Sequence, residues 1–302
     1  MKERKKRRRP YIVAGLLGML FAGVFVYAAW QLGGELWAAK REKDAFDALA
    51  ARVERRAGDP AEGGPTKAAR AGSAETSRPE DRPPVAQTNG GAEAASEAST
   101  APKATLAPPD YSELIAMNAD FFGWLSIEDT NIDYPVMYAP DKPNYYLTHA
   151  FDGSASKSGV PYLDEGCAPK GGLYLIHGHH MRDRSMFGQL PDYADRDFWA
   201  AHPLIHFNTT EAWGDYQVIA AFLADGGGSG GFRYYKYTDL TDPKVFKTYM
   251  DGVKAAALYD TGLEAHYGDE LLVLSTCNYH TSNGRFVVVA RRISREKQAT
   301  GR

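Results

Sequence analysis

Two apolar, β-branched runs, Leu271–Thr276 and Phe286–Ile293, flank a short polar stretch that contains Asn283-Gly284. That pattern reads as two antiparallel strands joined by a loop, and the rest of the folded domain has to accommodate it. Cys277 closes the first run and Arg285 opens the second. Neighbouring strands lie about 4.8 Å apart, so the loop returns the chain with a thiol and a guanidinium side by side at one sheet edge. A fixed positive charge favours the thiolate, the form that attacks carbonyl carbon. A cysteine in such a place is equally well a small buried hydrophobe, and the pair alone does not decide between the two.

The composition divides the chain. Residues Lys2 to Arg9 hold seven basic side chains and one acidic, a net +6, so with a total of −3 everything after Arg9 carries −9. An acidic remainder argues against a nucleic-acid partner. Between Tyr11 and Gly34 no residue is charged, and YIVAGLLGMLFAGVFVYAAWQL is 22 residues long. At about 1.5 Å per residue it spans a bilayer core of about 30 Å. We read a membrane-spanning helix over 11–34, with the basic tail 1–10 in the cytoplasm and the rest outside by the positive-inside rule. Val26 and Ala28 also fit the −3 and −1 positions of a cleaved signal peptide, although the apolar core is long for one. Outside the cytoplasm, Cys167 and Cys277 invite a disulfide, which would lock the thiol away.

Beyond the apolar stretch, Trp37 to Arg56 is rich in helix formers, with Phe46, Leu49 and Val53 at helical spacing, and predicts a helical stalk over 35–57. Residues 58–109 turn to Ala, Glu, Gly, Ser, Thr and Pro without periodicity, a composition that cannot bury enough surface to order itself. This stretch predicts a disordered tether with a reach of about 40 Å. The folded domain is expected over 110–295, followed by a tail, 296–302. It opens with a helix capped by Asp110 or Ser112. Strands are predicted at Phe122–Ile127, Ile132–Tyr138, Val160–Leu163, Gly172–His177, Leu204–Asn208 and Tyr216–Leu223, which with the final pair makes about eight and predicts a sandwich or barrel. Thr241-Asp242-Pro243 starts a helix with Val245, Phe246, Tyr249, Met250 and Val253 on one face. A shorter helical piece is expected around Met186–Tyr193. The run Gly226–Gly231 lacks the Lys-Ser/Thr of a phosphate loop and reads as a flexible loop.

Gly171 to Met181, GGLYLIHGHHM, is a strand that ends in three clustered histidines. If it lies beside the final pair, one imidazole faces Cys277. His177 and His179 form an H-x-H pair that matches a metal site, but Met181-Arg182 stands where metallo-hydrolases of the β-lactamase type carry Asp-His.

Taken together, LSTC at Leu274–Cys277, Arg285 opening GRFVVVARRI, and GHHM at Gly178–Met181 followed by Ser185–Phe187 resemble the class B sortases, membrane-anchored cysteine transpeptidases of Gram-positive bacteria. The likeness runs from Tyr111 to Ile293 and includes NADFFGWLSI, TNIDYPVMYA, YLTHAFDG and YGDELLVLSTC. It implies a mainly β fold, a closed eight-stranded barrel with an N-terminal helix and a long helix before the penultimate strand. By position, Cys277 matches the nucleophile, His179 the catalytic histidine and Arg285 the arginine that steadies the oxyanion. Ser275, Leu147 and Tyr235 match substrate-groove positions. Val273 stands where the family usually has threonine and Asn278 where it often has an acidic residue, which bears on substrate preference. Cys167 matches no family role.

The resemblance further implies cleavage of a C-terminal sorting signal after threonine, through a thioester on Cys277. The acyl group then passes to an amine of a peptidoglycan precursor or a pilin, with no cofactor. The expected partners are secreted proteins bearing that signal, the amine acceptor, and the membrane through the N-terminal anchor. Two other readings use the same residues: a cell-wall cysteine peptidase that transfers to water, and a non-catalytic surface module with a Cys167–Cys277 disulfide.

Overall fold

The computed structural model describes residues 8–57, 110–167, 171–226 and 231–293. The tether expected over 58–109, the first residues of the basic tail, most of the glycine run and the tail 296–302 lie outside these residues. The first element is a continuous helix, α1 (Arg8–Ala57). Its stretch Leu16–Gly34 has a mean hydropathy of 1.6 and no buried surface, and is long and apolar enough to cross a membrane. The helix does not break where the apolar stretch ends. The stalk continues it, and Phe46 and Leu49 are buried on the folded domain at 6% exposure each.

That domain runs through α2 (Ser112–Met117), β1 (Phe121–Ser126), β2 (Asp133–Met137), β3 (Tyr162–Leu163), β4 (Leu173–His177), α3 (Arg196–Ala201), β5 (Leu204–Thr209), β6 (Asp215–Asp225), α4 (Pro243–Ala256), β7 (Leu271–Cys277) and β8 (Gly284–Ile293). The eight strands close into a barrel in the order β1-β2-β3-β4-β7-β8-β6-β5. Closure leaves no unpaired edge. Two of the pairings, β2 with β3 and β4 with β7, are parallel. The second places the histidine-bearing strand beside the cysteine-bearing one.

The sequence pattern explains most of these elements. In β7 the residues Leu271–Leu274, and in β8 the residues Val287–Ala290, are fully buried, which is why both read as continuous apolar runs rather than alternating ones. β3 is shorter than the stretch from Val160 predicted. Pro161 has no N–H to give to a ladder, and it contributes only its carbonyl, to Met137 N–H at 3.0 Å. α4 begins as its cap predicted, with Asp242 Oδ1 accepting from Lys244 and Val245 N–H at 2.7 and 3.1 Å. Its apolar stripe, Phe246, Tyr249 and Val253, is buried. The helical piece expected around Met186–Tyr193 forms later and tighter, as a 3₁₀ turn over Leu190–Ala194. It leads into α3, which the apolar pattern does not predict although Asp195 caps it by accepting from Asp197 N–H at 2.9 Å.

Candidate active site

The site is built where β4 and β7 end together. Their parallel ladder carries His177 opposite Ser275, and the chain beyond β4 stays attached to β7. Gly178 N–H donates to Ser275 O at 3.1 Å, Thr276 Oγ1 donates to Gly178 O at 2.8 Å, and His180 Nδ1 lies 2.9 Å from Cys277 O. The segment 178–180 is therefore laced along 275–277. On the other side of β7, Cys277 is the register partner of Arg285 on β8. The turn between them is closed by Asn278 N–H to Gly284 O at 2.8 Å. A Cβ at Gly284 would sit 2.2 Å from Asn278 O, so only glycine permits this closure.

Cys277, His179 and Arg285 are each half-buried, open to solvent at one end of the barrel. His179 Nε2 lies 2.8 Å from Leu147 O. A carbonyl only accepts, so Nε2 carries a proton in this arrangement and Nδ1 is the nitrogen left free to exchange one. Arg285 Nη1 donates to Gly284 O at 3.1 Å and to Asn283 O at 3.4 Å, which leaves the Nη2 and Nε hydrogens to meet a negative oxygen. Two buried phenols border the same region. Burial, and then Glu165 and Asp164, push Tyr162 up to about 12, while Arg285 acts against the rise and Cys277 adds to it. Burial pushes Tyr234 up to about 12 against the Ser275 hydrogen bond and Arg285, with Cys277 again adding. Tyr162 is the register partner of His177, and Tyr234 is hydrogen-bonded to Ser275, which sets both rings beside the end of β7.

The expected groove residues fall in different roles. Ser275 is 1% exposed and shares a 2.6 Å hydrogen bond with Tyr234 OH, so it bears on a groove only through that ring. Tyr235 is half-buried and packs edge-on against Tyr234 with centroids 5.5 Å apart. Leu147 offers its carbonyl to His179 rather than only its side chain to a wall. Tyr234, Tyr162 and Asp164 join the site without being expected from the sequence. Tyr234 is adjacent to Tyr235 in a YY pair, and nothing in that local pattern says which ring turns inward.

The three histidines do not act as one set. His177 Nε2 is 3.0 Å from Asp164 Oδ2. Burial alone would raise the Asp164 carboxyl, but the His177 hydrogen bond and Gly166 N–H outweigh it and hold it below the usual carboxylate range. Among the described residues no three His, Cys, Asp or Glu side chains gather as a metal site. The disulfide reading is overturned, because both cysteines are free. Cys167 is buried, and burial pushes its thiol up to about 12, the behaviour of an inert core cysteine.

Comparison with known proteins agrees with this architecture. The family described as "Sortase domain" matches residues 125–293. Sortase B of Listeria monocytogenes is 28% identical over 197 residues, covering 62% of this chain and 75% of that protein. Sortase B of Staphylococcus aureus is 27% identical over 188 residues, covering 61% and 74%. A solved Staphylococcus aureus sortase B–substrate complex superposes with a TM-score of 0.56 at 25% identity, covering 63% of this chain and 87% of that one.

Proposed function

The chain belongs to the sortase family and is sortase B-like, and on that premise we propose that it cleaves a C-terminal sorting signal of secreted proteins after threonine and transfers the new carboxyl end to an amine. The observation that carries the proposal is the lacing of 178–180 along 275–277, with Arg285 in register with Cys277. Cys277, as thiolate, attacks the carbonyl carbon after the threonine through Sγ, and the carbonyl oxygen takes the electron pair. Arg285 stabilises that oxyanion by charge-assisted hydrogen bonds. As the carbon–nitrogen bond breaks, protonated His179 gives its proton to the departing amine, leaving a thioester on Cys277. The acceptor amine then attacks the thioester, His179 takes the amine's proton, and the thiolate leaves. Leu147 O holds Nε2–H, so Nδ1 is the nitrogen that moves the proton in both halves.

The acceptor is a peptidoglycan precursor or a pilin amine. The Staphylococcus aureus sortase B was solved in complex with a substrate, and the shared barrel supports the same kind of peptide groove here. Leu147 and Tyr235 are its proposed lining, and Ser275 is proposed to support it from beneath through its hydrogen bond to Tyr234. The proposed layout keeps 1–10 in the cytoplasm and 11–34 in the membrane. The barrel, 110–295, then lies outside, beyond the stalk 35–57 and the segment 58–109. The reaction is tested by incubating the enzyme with sorting-signal peptides and candidate amines and weighing the products. Parent enzyme should give amide-linked product, and Cys277→Ala none. Hydrolysed peptide alone, unchanged by added amine, would favour a wall peptidase.

A further inference from the structure

A physical chain links the membrane-proximal part of α1 to the histidine segment. Phe46 of α1 meets the ring of Tyr134 on β2 edge-on, with centroids 5.2 Å apart and planes at 82°. The Tyr134 hydroxyl accepts from Met186 N–H at 3.0 Å. Met186 is bridged to His180, and Phe187 N–H donates to His179 O at 2.9 Å. The loop 181–185 therefore starts and ends on His179 and His180, the second of which lies 2.9 Å from Cys277 O, and its returning end is fixed by a tyrosine that α1 covers.

Three further observations make this contact more than incidental. Met186 and Arg184 hold left-handed backbone, with φ of 52° and 67°, a conformation that residues other than glycine adopt only at a cost. It persists only when the surroundings enforce it, and for Met186 those are Tyr134 OH and burial at 2% exposure. Second, α1 is tied to the domain at both ends of the contact, by Ser156 Oγ donating to Glu42 Oε1 at 2.8 Å and by the Arg52–Glu113 ion pair. Third, the contact lies only 12 residues beyond Gly34 on one unbroken helix, so whatever orients the anchor orients this contact.

We propose that docked α1 is a positioning element of the reaction centre, and that Tyr134 is a positioning residue that transmits its docking to the backbone of His179 and His180. This rests on the catalytic reading above. Turnover is then full only when the barrel sits on its own anchor helix. A released stalk leaves the barrel folded, with the 181–187 loop relaxed and the imidazole displaced. A misplacement of about 1 Å at a reacting group is enough to cost up to about a hundredfold in rate.

The test uses the full chain in lipid nanodiscs, comparing parent, Tyr134→Phe, Phe46→Ala and Cys277→Ala. Tyr134→Phe keeps the ring and removes only the acceptor for Met186 N–H, so it remains informative if Phe46→Ala fails to fold. Each of the first two variants should lower kcat about tenfold with KM within about twofold, consistent with loss of orientation. Amide exchange at Met186 and Phe187 should accelerate at least about tenfold while β7 and β8 keep parent protection. The double variant should be little worse than either single one. Parent kcat in both variants, or lowered kcat with unchanged exchange at Met186 and Phe187, overturns the proposal. Activity in Cys277→Ala would instead overturn the catalytic reading, and the exchange data would still decide the docking.

Discussion

The two cysteines show how one residue type takes opposite roles in one barrel. Cys277 ends a strand at an open mouth, and Cys167 is sealed at 1% exposure with its thiol pushed up to about 12. A thiol reagent at neutral pH should modify Cys277 rapidly and Cys167 only after unfolding, which mass mapping of the labelled peptides checks. Cys167 also predicts a pH dependence of stability. Below the ordinary thiol value of 9.0 both folded and unfolded chains keep its proton. Above that value the unfolded chain ionises while the folded one does not until about 12, so stability is present at low pH and lost as pH rises through this window. The slope is at most about 1.4 kcal/mol per pH unit. Cys167→Val should flatten the decline in unfolding free energy between about pH 9 and 10, measured by urea titration. Gly159 is the second informative position. Its φ is +60°, and a Cβ there would lie 2.4 Å from Tyr146 O and 2.7 Å from Leu147 O, the carbonyl that holds His179. Gly159→Ala should cost about 2 kcal/mol of stability and lower kcat as well, read from urea midpoints and steady-state kinetics. The thiol and guanidinium are legible as neighbours from strand spacing alone. What sets His179 apart from His177 and His180 is not, because its partner is a carbonyl presented by the 3₁₀ turn over Tyr145–Leu147.

Among the elements, legibility follows how local the determinants are. The β7–β8 pair and α4 announce themselves through apolar runs, a proline at the first turn and the Asp242 cap. Removing that cap in Asp242→Ala should cost about 1 kcal/mol, visible as a lower urea midpoint with an unchanged slope. Elements set by distant partners are harder to read. β3 is cut to Tyr162–Leu163 because its pairing with β2 reaches only one register pair, Met137 with Tyr162. α3 is hidden because its Phe198 and Trp199 are half-buried and make no helical stripe. The spacing of Phe46, Leu49 and Val53 does predict a helix, but a helix with one apolar face does not say what it faces. Tyr134, its partner, lies 88 residues away in sequence.

At the scale of the whole molecule, one helix carries both the span Leu16–Gly34 and the face that meets the barrel. On the proposed membrane placement, this continuous helix sets how far the proposed active site stands from the bilayer: Phe46 lies about 18 Å along the axis from Gly34. The proposed orientation predicts that, in sealed vesicles with the outer face exposed, added protease digests the barrel and spares a tag on the basic N-terminus. Digestion of the tag with the barrel spared would reverse the topology. The central claim, that Cys277 forms the acyl-enzyme for transfer to an amine, is met most directly by intact mass spectrometry of the enzyme mixed with a sorting-signal peptide. The predicted result is an adduct of the peptide's N-terminal fragment on Cys277 that disappears when an acceptor amine is added, in step with amide product. Product formed at the parent rate by Cys277→Ala, or an adduct mapped to any other residue, would contradict it.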